Sequence, residues 1–181
     1  MFFFPFKDDN PTQTSPIISY TLIALCCLSY LFQASLDQNQ GIFLIKNYGA
    51  TPFLLSEYTF DYWYSSITSM FLHGGIMHLG GNLVYLWIFG DNVEDEFGKI
   101  KFLIFYILCG IGAVIAQILF NPQSNVPMIG ASGAIAGILG SYLVLYPKAK
   151  IHVFAWIIIF VKIIKVSAFI VIGAWILLQI M

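Results

Sequence analysis

Charge is the scarcest property of this sequence: 9% of its residues are Asp, Glu, Lys or Arg, against about 25% in soluble domains. That shortage argues against a soluble globular domain. Arginine is absent altogether, all eight basic residues being lysines. With a formal net charge of −1 and no basic run, the chain lacks the electrostatic footprint of a nucleic-acid binder. Cysteine is scarce too: Cys26, Cys27 and Cys109 lie in apolar segments, with neither disulfide-framework nor zinc spacing, and read as small packing residues. Acidic ligand clusters are absent from the apolar segments and no phosphate-cradling loop occurs, so no metal or organic cofactor is expected. No cationic leader with a cleavage site precedes the first apolar run, which argues against a removable signal peptide.

What the chain has in quantity is apolar residues, 59% of the total, 17% aromatic, with a mean hydropathy of +0.84. About 20 apolar residues cross the hydrocarbon core of a bilayer. By that rule residues 1–16 form a polar tail behind the aromatic cluster Phe2–Phe6, a cluster compatible with the headgroup level. Residues 17–181 form a membrane domain, with spans at about 17–36, 66–90, 102–120, 132–146 and 166–181. Between the first two spans, Phe53, Tyr58, Phe60, Tyr62, Trp63 and Tyr64 mark an amphipathic loop suited to the interface. Residues from Ile151 to the last span read as an interfacial piece. Lys7, Lys99, Lys101, Lys148, Lys150, Lys162 and Lys165 fall on the N-terminal side or in even-numbered connections, and Lys46 alone on the other. The positive-inside rule then puts the N-terminus in the cytoplasm. The last span reaches Met181 without a polar tail, so the chain is expected to be C-terminally incomplete. The fold class expected is all-α, a polytopic membrane helix bundle.

Two short runs carry chemistry. His73-Gly74-Gly75-Ile76-Met77-His78-Leu79-Gly80-Gly81-Asn82 sits in the second span, and Gly130-Ala131-Ser132-Gly133-Ala134 opens the fourth. Imidazoles and carboxamides are costly at membrane depth and face a protein interior or a water-filled cavity. His78 and Asn82, four apart, share a helix face. On a continuous helix His73 points about 140° away and serves another contact. Ser132 lies roughly 21 Å and His78 roughly 18 Å from the cytoplasmic ends of their spans, so their depths match. Gly133, Gly137 and Ser141 form one small-residue stripe on the fourth span; Ser132, Ala136 and Gly140 form its neighbour. Such stripes permit close helix approach, and this surface is expected to stay uncovered within these residues. Each residue alone suits packing or an interhelical hydrogen bond. Together they point to a serine hydrolase inside a membrane.

These runs, in order and spacing, resemble the rhomboid family of intramembrane serine proteases. The likeness continues in Phe89-Gly90-Asp91-Asn92-Val93-Glu94-Asp95, Gly98 and Phe120-Asn121-Pro122. The resemblance implies Ser132 as nucleophile, with His78, Asn82 and the Ser132 backbone N–H as oxyanion hole. His73, Gly130 and Gly133 take supporting roles, and Glu94 ties its connection to neighbouring helices. It implies five of the family's six spans, transmembrane protein substrates, a lipid bilayer as surroundings, no nucleic acid, and a multi-pass position in the plasma (inner) membrane. The oligomeric state is not implied. Two departures follow. Trp63-Tyr64 replaces the family's Trp-Arg, and no match occurs to the sixth-span Ala-His-x-x-Gly-like run that carries the general base. The 181 residues alone are therefore expected to be inactive or nearly so, because serine is a weak nucleophile without a base. The alternative is a non-catalytic rhomboid-like protein that binds transmembrane clients.

Overall fold

The computed structural model describes residues 2–157 and 160–180 and is mostly helical. The elements are β1 (Phe2–Asp8), α1 (Ile17–Ser35), α2 (Gln38–Tyr48), α3 (Pro52–Glu57), α4 (Thr59–Tyr62), α5 (Ser65–Thr68), α6 (Ile76–Phe97), α7 (Lys99–Phe120), α8 (Ser132–Leu145), β2 (Lys150–Ile157), β3 (Phe160–Ser167) and α9 (Ala168–Ile180). Among the described residues, α1 and α7 are long and apolar enough to cross a membrane, and α8 and α9 are shorter apolar helices. Outward-facing residues of α1 and α7, such as Leu28, Leu31, Ile104, Leu108 and Leu119, are more than half exposed. Apolar side chains all round a helix suit lipid, not water, as the surroundings.

The core runs between α6 and α8. Leu86, Phe89 and Val93 of α6 and Ile135, Ile138, Leu139 and Tyr142 of α8 are almost fully buried. Phe89 meets Tyr142 edge to face, with ring centroids 4.7 Å apart, a geometry worth about 0.5–1.5 kcal/mol beyond burial. α7 packs against the other side of α8 through glycine. A Cβ on Gly137 would stand 2.3 Å from Cys109 Sγ, and one on Gly133 2.5 Å from Ala113 Cβ. The Gly133–Gly137 stripe is thus covered, contrary to the expectation that the small-residue surface stays open. Ala136 and Gly140, on the neighbouring stripe, remain exposed.

The all-helical expectation is corrected by a three-stranded antiparallel sheet in the order β1-β2-β3. Phe4 pairs with Phe154 and Asp8 with Ile151, while Ile151 pairs with Val166 and Trp156 with Val161. The physical reason is an alternation concealed in an apolar run. Ile151, Val153 and Ala155 are buried, while His152, Phe154 and Trp156 point the other way and are themselves apolar or aromatic. Pro5 is tolerated because β1 is an edge strand. The last helix accordingly begins at Ala168, after the hairpin.

The second expected span is also redrawn. Residues 65–71 form short helical turns, and the long helix α6 starts only at Ile76, running on through the acidic stretch to Phe97. Gly74-Gly75 interrupts the helix there, and Asp91, Glu94 and Asp95 extend it beyond the apolar part.

Candidate active site

His73 does not lie on α6. It stands in the extended segment after Leu72 and is held by Gln33 of α1: the His73 N–H donates to Gln33 Oε1 at 3.0 Å, and Gln33 Nε2 donates to the His73 carbonyl at 3.2 Å. The chain reverses at Gly74-Gly75, so the His73 and His78 rings meet edge to face at 5.2 Å. The expected separation of the two histidines is therefore wrong. The break in the helix replaces a fixed helical angle by a fold-back.

The fold-back sets a tautomer. The Gly74 backbone N–H lies 3.3 Å from His78 Nδ1. An N–H can only donate, so Nδ1 accepts, and in the neutral ring Nε2 carries the proton. His78 Nε2 is then a donor. It points at Gly130, where an added Cβ would stand 2.6 Å from it and 3.4 Å from Asn82 Nδ2. Gly130 adopts φ +115°, a conformation open essentially to glycine. The Gly130 N–H donates to the Ser69 carbonyl at 2.9 Å. Both side-chain donors thus converge on backbone two residues before Ser132.

Ser132 is the first residue of α8 and is half-buried. With Gly130, Gly133, Ser69 and Met128 it lines a cavity of about 50 Å³, which His78 and Asn82 do not line. Gly130 is the shared wall between the serine and the histidine–amide pair. Asn82 is 1% exposed, yet neither its Nδ2 nor its Oδ1 has a partner among the described residues, and the same holds for His73 Nε2. Buried polar atoms are nearly always paired. The Asn82 carboxamide, near Gly130 and without a partner among the described residues, can therefore bond a polar group brought to it.

Other residues fall elsewhere. His152 sits on β2, bonded to Asp9, at the end of α8 away from Ser132. Glu94 is buried and bonded to Ile18 and Ser19 at the start of α1. Trp63 and Tyr64 make an edge-to-face contact within the loop before α5. Gln33, Ser69 and Gly74 are positioning residues that motif spacing does not reveal. Gln33 alone carried a signal, as a lone carboxamide near the end of an apolar run. Among the described residues no group of three or more His, Cys, Asp or Glu could hold a metal ion.

Residues 61–181 match the model of the Rhomboid domain. The chain is 36% identical over 103 residues to Rhomboid-like protein 11, chloroplastic, of Arabidopsis thaliana, covering 55% of this chain and 36% of that protein. It is 43% identical over 81 residues to Rhomboid protease GluP of Bacillus subtilis, covering 45% and 15%. To Rhomboid protease AarA of Providencia stuartii it is 32% identical over 152 residues, covering 75% and 53%. The chain spans about half or less of the length of each of these relatives. It belongs to the rhomboid family, whose members are embedded in membranes.

Proposed function

We propose that this rhomboid-family chain carries the nucleophile and the oxyanion-binding groups of an intramembrane serine endopeptidase that cleaves transmembrane proteins. Ser132 Oγ attacks the scissile carbonyl, the peptide C–N bond breaks, and an acyl-enzyme forms that water then hydrolyses. The negative charge on the carbonyl oxygen is received by His78 Nε2–H, Asn82 Nδ2–H and the Ser132 backbone N–H. Gly130 keeps the backbone bare beside His78 and Asn82, Gly133 lets α8 close on α7 at Ala113, and His73 braces His78. The observation that carries this reading is the convergence of His78 Nε2 and Asn82 Nδ2 on Gly130, with the Asn82 amide buried and without a partner among the described residues. Donors fixed before reaction cost no reorganisation when charge develops. The tautomer imposed by Gly74 makes His78 a donor, so proton removal from Ser132 falls to a different group.

Orientation follows from lysine. Lys7, Lys150, Lys162 and Lys165 lie on the sheet, and Lys99 and Lys101 open α7, beside the end of α6 that binds the N-terminal segment. This clustering supports a cytoplasmic N-terminus and a site beneath the outer leaflet. One observation favours a second reading, a non-catalytic holder of transmembrane clients: among the described residues no imidazole is hydrogen-bonded to Ser132. The test is fluorophosphonate labelling and cleavage of a single-span reporter by the protein carrying this chain. Labelling lost in Ser132→Ala, with cleavage lowered about 10²–10³-fold in Asn82→Ala, supports the protease. Reporter binding without labelling or cleavage overturns it in favour of the holder.

A further inference from the structure

The sheet has a polarity that does not suit a domain projecting into water. Its half nearest the helices carries Lys7, Lys150, His152 and Lys165, with Asp9 just beyond β1 bonded to His152 and Lys165. Its far half is apolar but for Lys162: Phe3 is 52% exposed, Val161 58% and Ile163 56%, with Phe4 and Trp156 also well exposed. A sheet reaching away from a membrane into the cytosol would carry the reverse order. The strand also lies beside a helix rather than beneath it. Phe4–Asp8 and the stretch Val84–Asp91 of α6 wall one cavity of about 680 Å³. Trp87 stands ten residues before the end of α6, roughly 15 Å from it along the helix. The apolar part of β1 is therefore level with an apolar part of α6.

We propose that the β1-β2-β3 sheet is a lipid-binding element, lying at the interface of the cytoplasmic leaflet beside α6, where its open edges stay hydrated, with the exposed apolar side chains of its far half turned to lipid and its lysines at anionic headgroups. The inference rests on the membrane orientation given above. Phenylalanine and tryptophan settle at the interface. Lysine extends its charged end to phosphate while its stem stays apolar, which accounts for Lys162 within the apolar half. The negative surface of the cytoplasmic leaflet attracts each such lysine. Asp8 is buried against Tyr142, and Asp9, bonded to His152, offsets Lys165, so the attraction to headgroups falls to Lys7, Lys150 and Lys162. An amphipathic helix meets a membrane surface by the same balance of apolar insertion and basic contact.

The test uses the full chain in vesicles of phosphatidylcholine alone or with one part in three phosphatidylglycerol. Ile163 is replaced by a polarity-sensitive fluorescent amino acid. Lys46, in α2, and Leu108, outward on α7, are replaced likewise in separate variants as references. Quenching of the probe at position 163 by brominated lipid and not by iodide, several-fold stronger in the anionic vesicles and weakened by Lys7→Gln with Lys162→Gln, is the expected result. Quenching by iodide while position 108 is quenched by brominated lipid overturns the proposal and leaves the spanning reading intact. Quenching by neither means that a second copy or another polypeptide covers the sheet, and also overturns it. Iodide quenching at position 108 removes the spanning reading itself, and the proposal with it.

Discussion

The carboxylate of Glu94 on α6 caps the first turn of α1. Oε1 accepts the Ile18 N–H at 2.9 Å, and Oε2 accepts the Ser19 N–H at 2.7 Å and the Ser19 hydroxyl at 2.8 Å. An anion at the positive end of a helix meets both its unsatisfied donors and its dipole. Asp95, one residue on, takes the Gln13 and Thr14 N–H groups and the Thr14 hydroxyl. Two consecutive acidic side chains thereby fix where the N-terminal segment enters the bundle.

Glu94→Ala is expected to lower stability by about 2–4 kcal/mol, since three charge-assisted bonds go and two buried donors are left bare. Glu94→Gln, which keeps one acceptor, loses less. Thermal unfolding in detergent, followed by tryptophan fluorescence, checks both; equal melting of Glu94→Ala and the parent would refute the capping role.

Asn82→Leu separates stability from function. Removing a buried amide that has no partner among the described residues should leave folding unchanged or improve it by about 1–2 kcal/mol. The same change should cost about 10²–10³ in proteolysis. A melting curve and a reporter assay on one preparation suffice, and a strongly destabilised variant would mean that the amide is paired after all.

Gly137→Ala should cost about 1–3 kcal/mol by overpacking against Cys109. Gly140→Ala, where a Cβ meets nothing within 4 Å, should be neutral or stabilising by up to about 1 kcal/mol. Comparing the two in one denaturant titration isolates packing from helix propensity.

The two aspartates at the end of β1 respond oppositely to pH. The hydrogen bond to His152, then that to Lys165, holds the Asp9 carboxyl below its ordinary value. Its contribution is therefore present above the unfolded value near pH 4 and is lost as pH falls through the folded one. Burial pushes Asp8 up, against hydrogen bonds from Tyr142 and Asn10. Its contribution is present below the unfolded value and declines as pH rises through the folded one. Acid titration of Asp9→Asn should therefore show a shallower loss of stability below about pH 4 than the parent; an unchanged slope would remove Asp9 from the account.

How far the sequence carried varies along the chain. Helices in the apolar runs were legible because length and composition suffice: α1, α7 and α8 lie within a few residues of 17–36, 102–120 and 132–146, although of these, among the described residues, α1 and α7 alone are long enough to cross a membrane. The shared face of His78 and Asn82 was legible as a spacing, and both side chains approach Gly130. His73 was misread because a 3.6-residue period was carried across Gly74-Gly75, where the helix has not yet begun. The sheet escaped notice because both of its faces are rich in apolar side chains, which blurs a period of two into a continuous run. Glu94 was legible only by resemblance, because its donors lie far away in sequence on α1.

Tyr142 donates to Asp8 at 2.6 Å and receives Asn10 Nδ2 at 2.7 Å, and it stands on the same rigid rod as Ser132, ten residues along, or roughly 15 Å. The first strand is thereby moored to the very helix whose opening residue is Ser132, so anchoring one end of the molecule and aiming that oxygen fall to a single element.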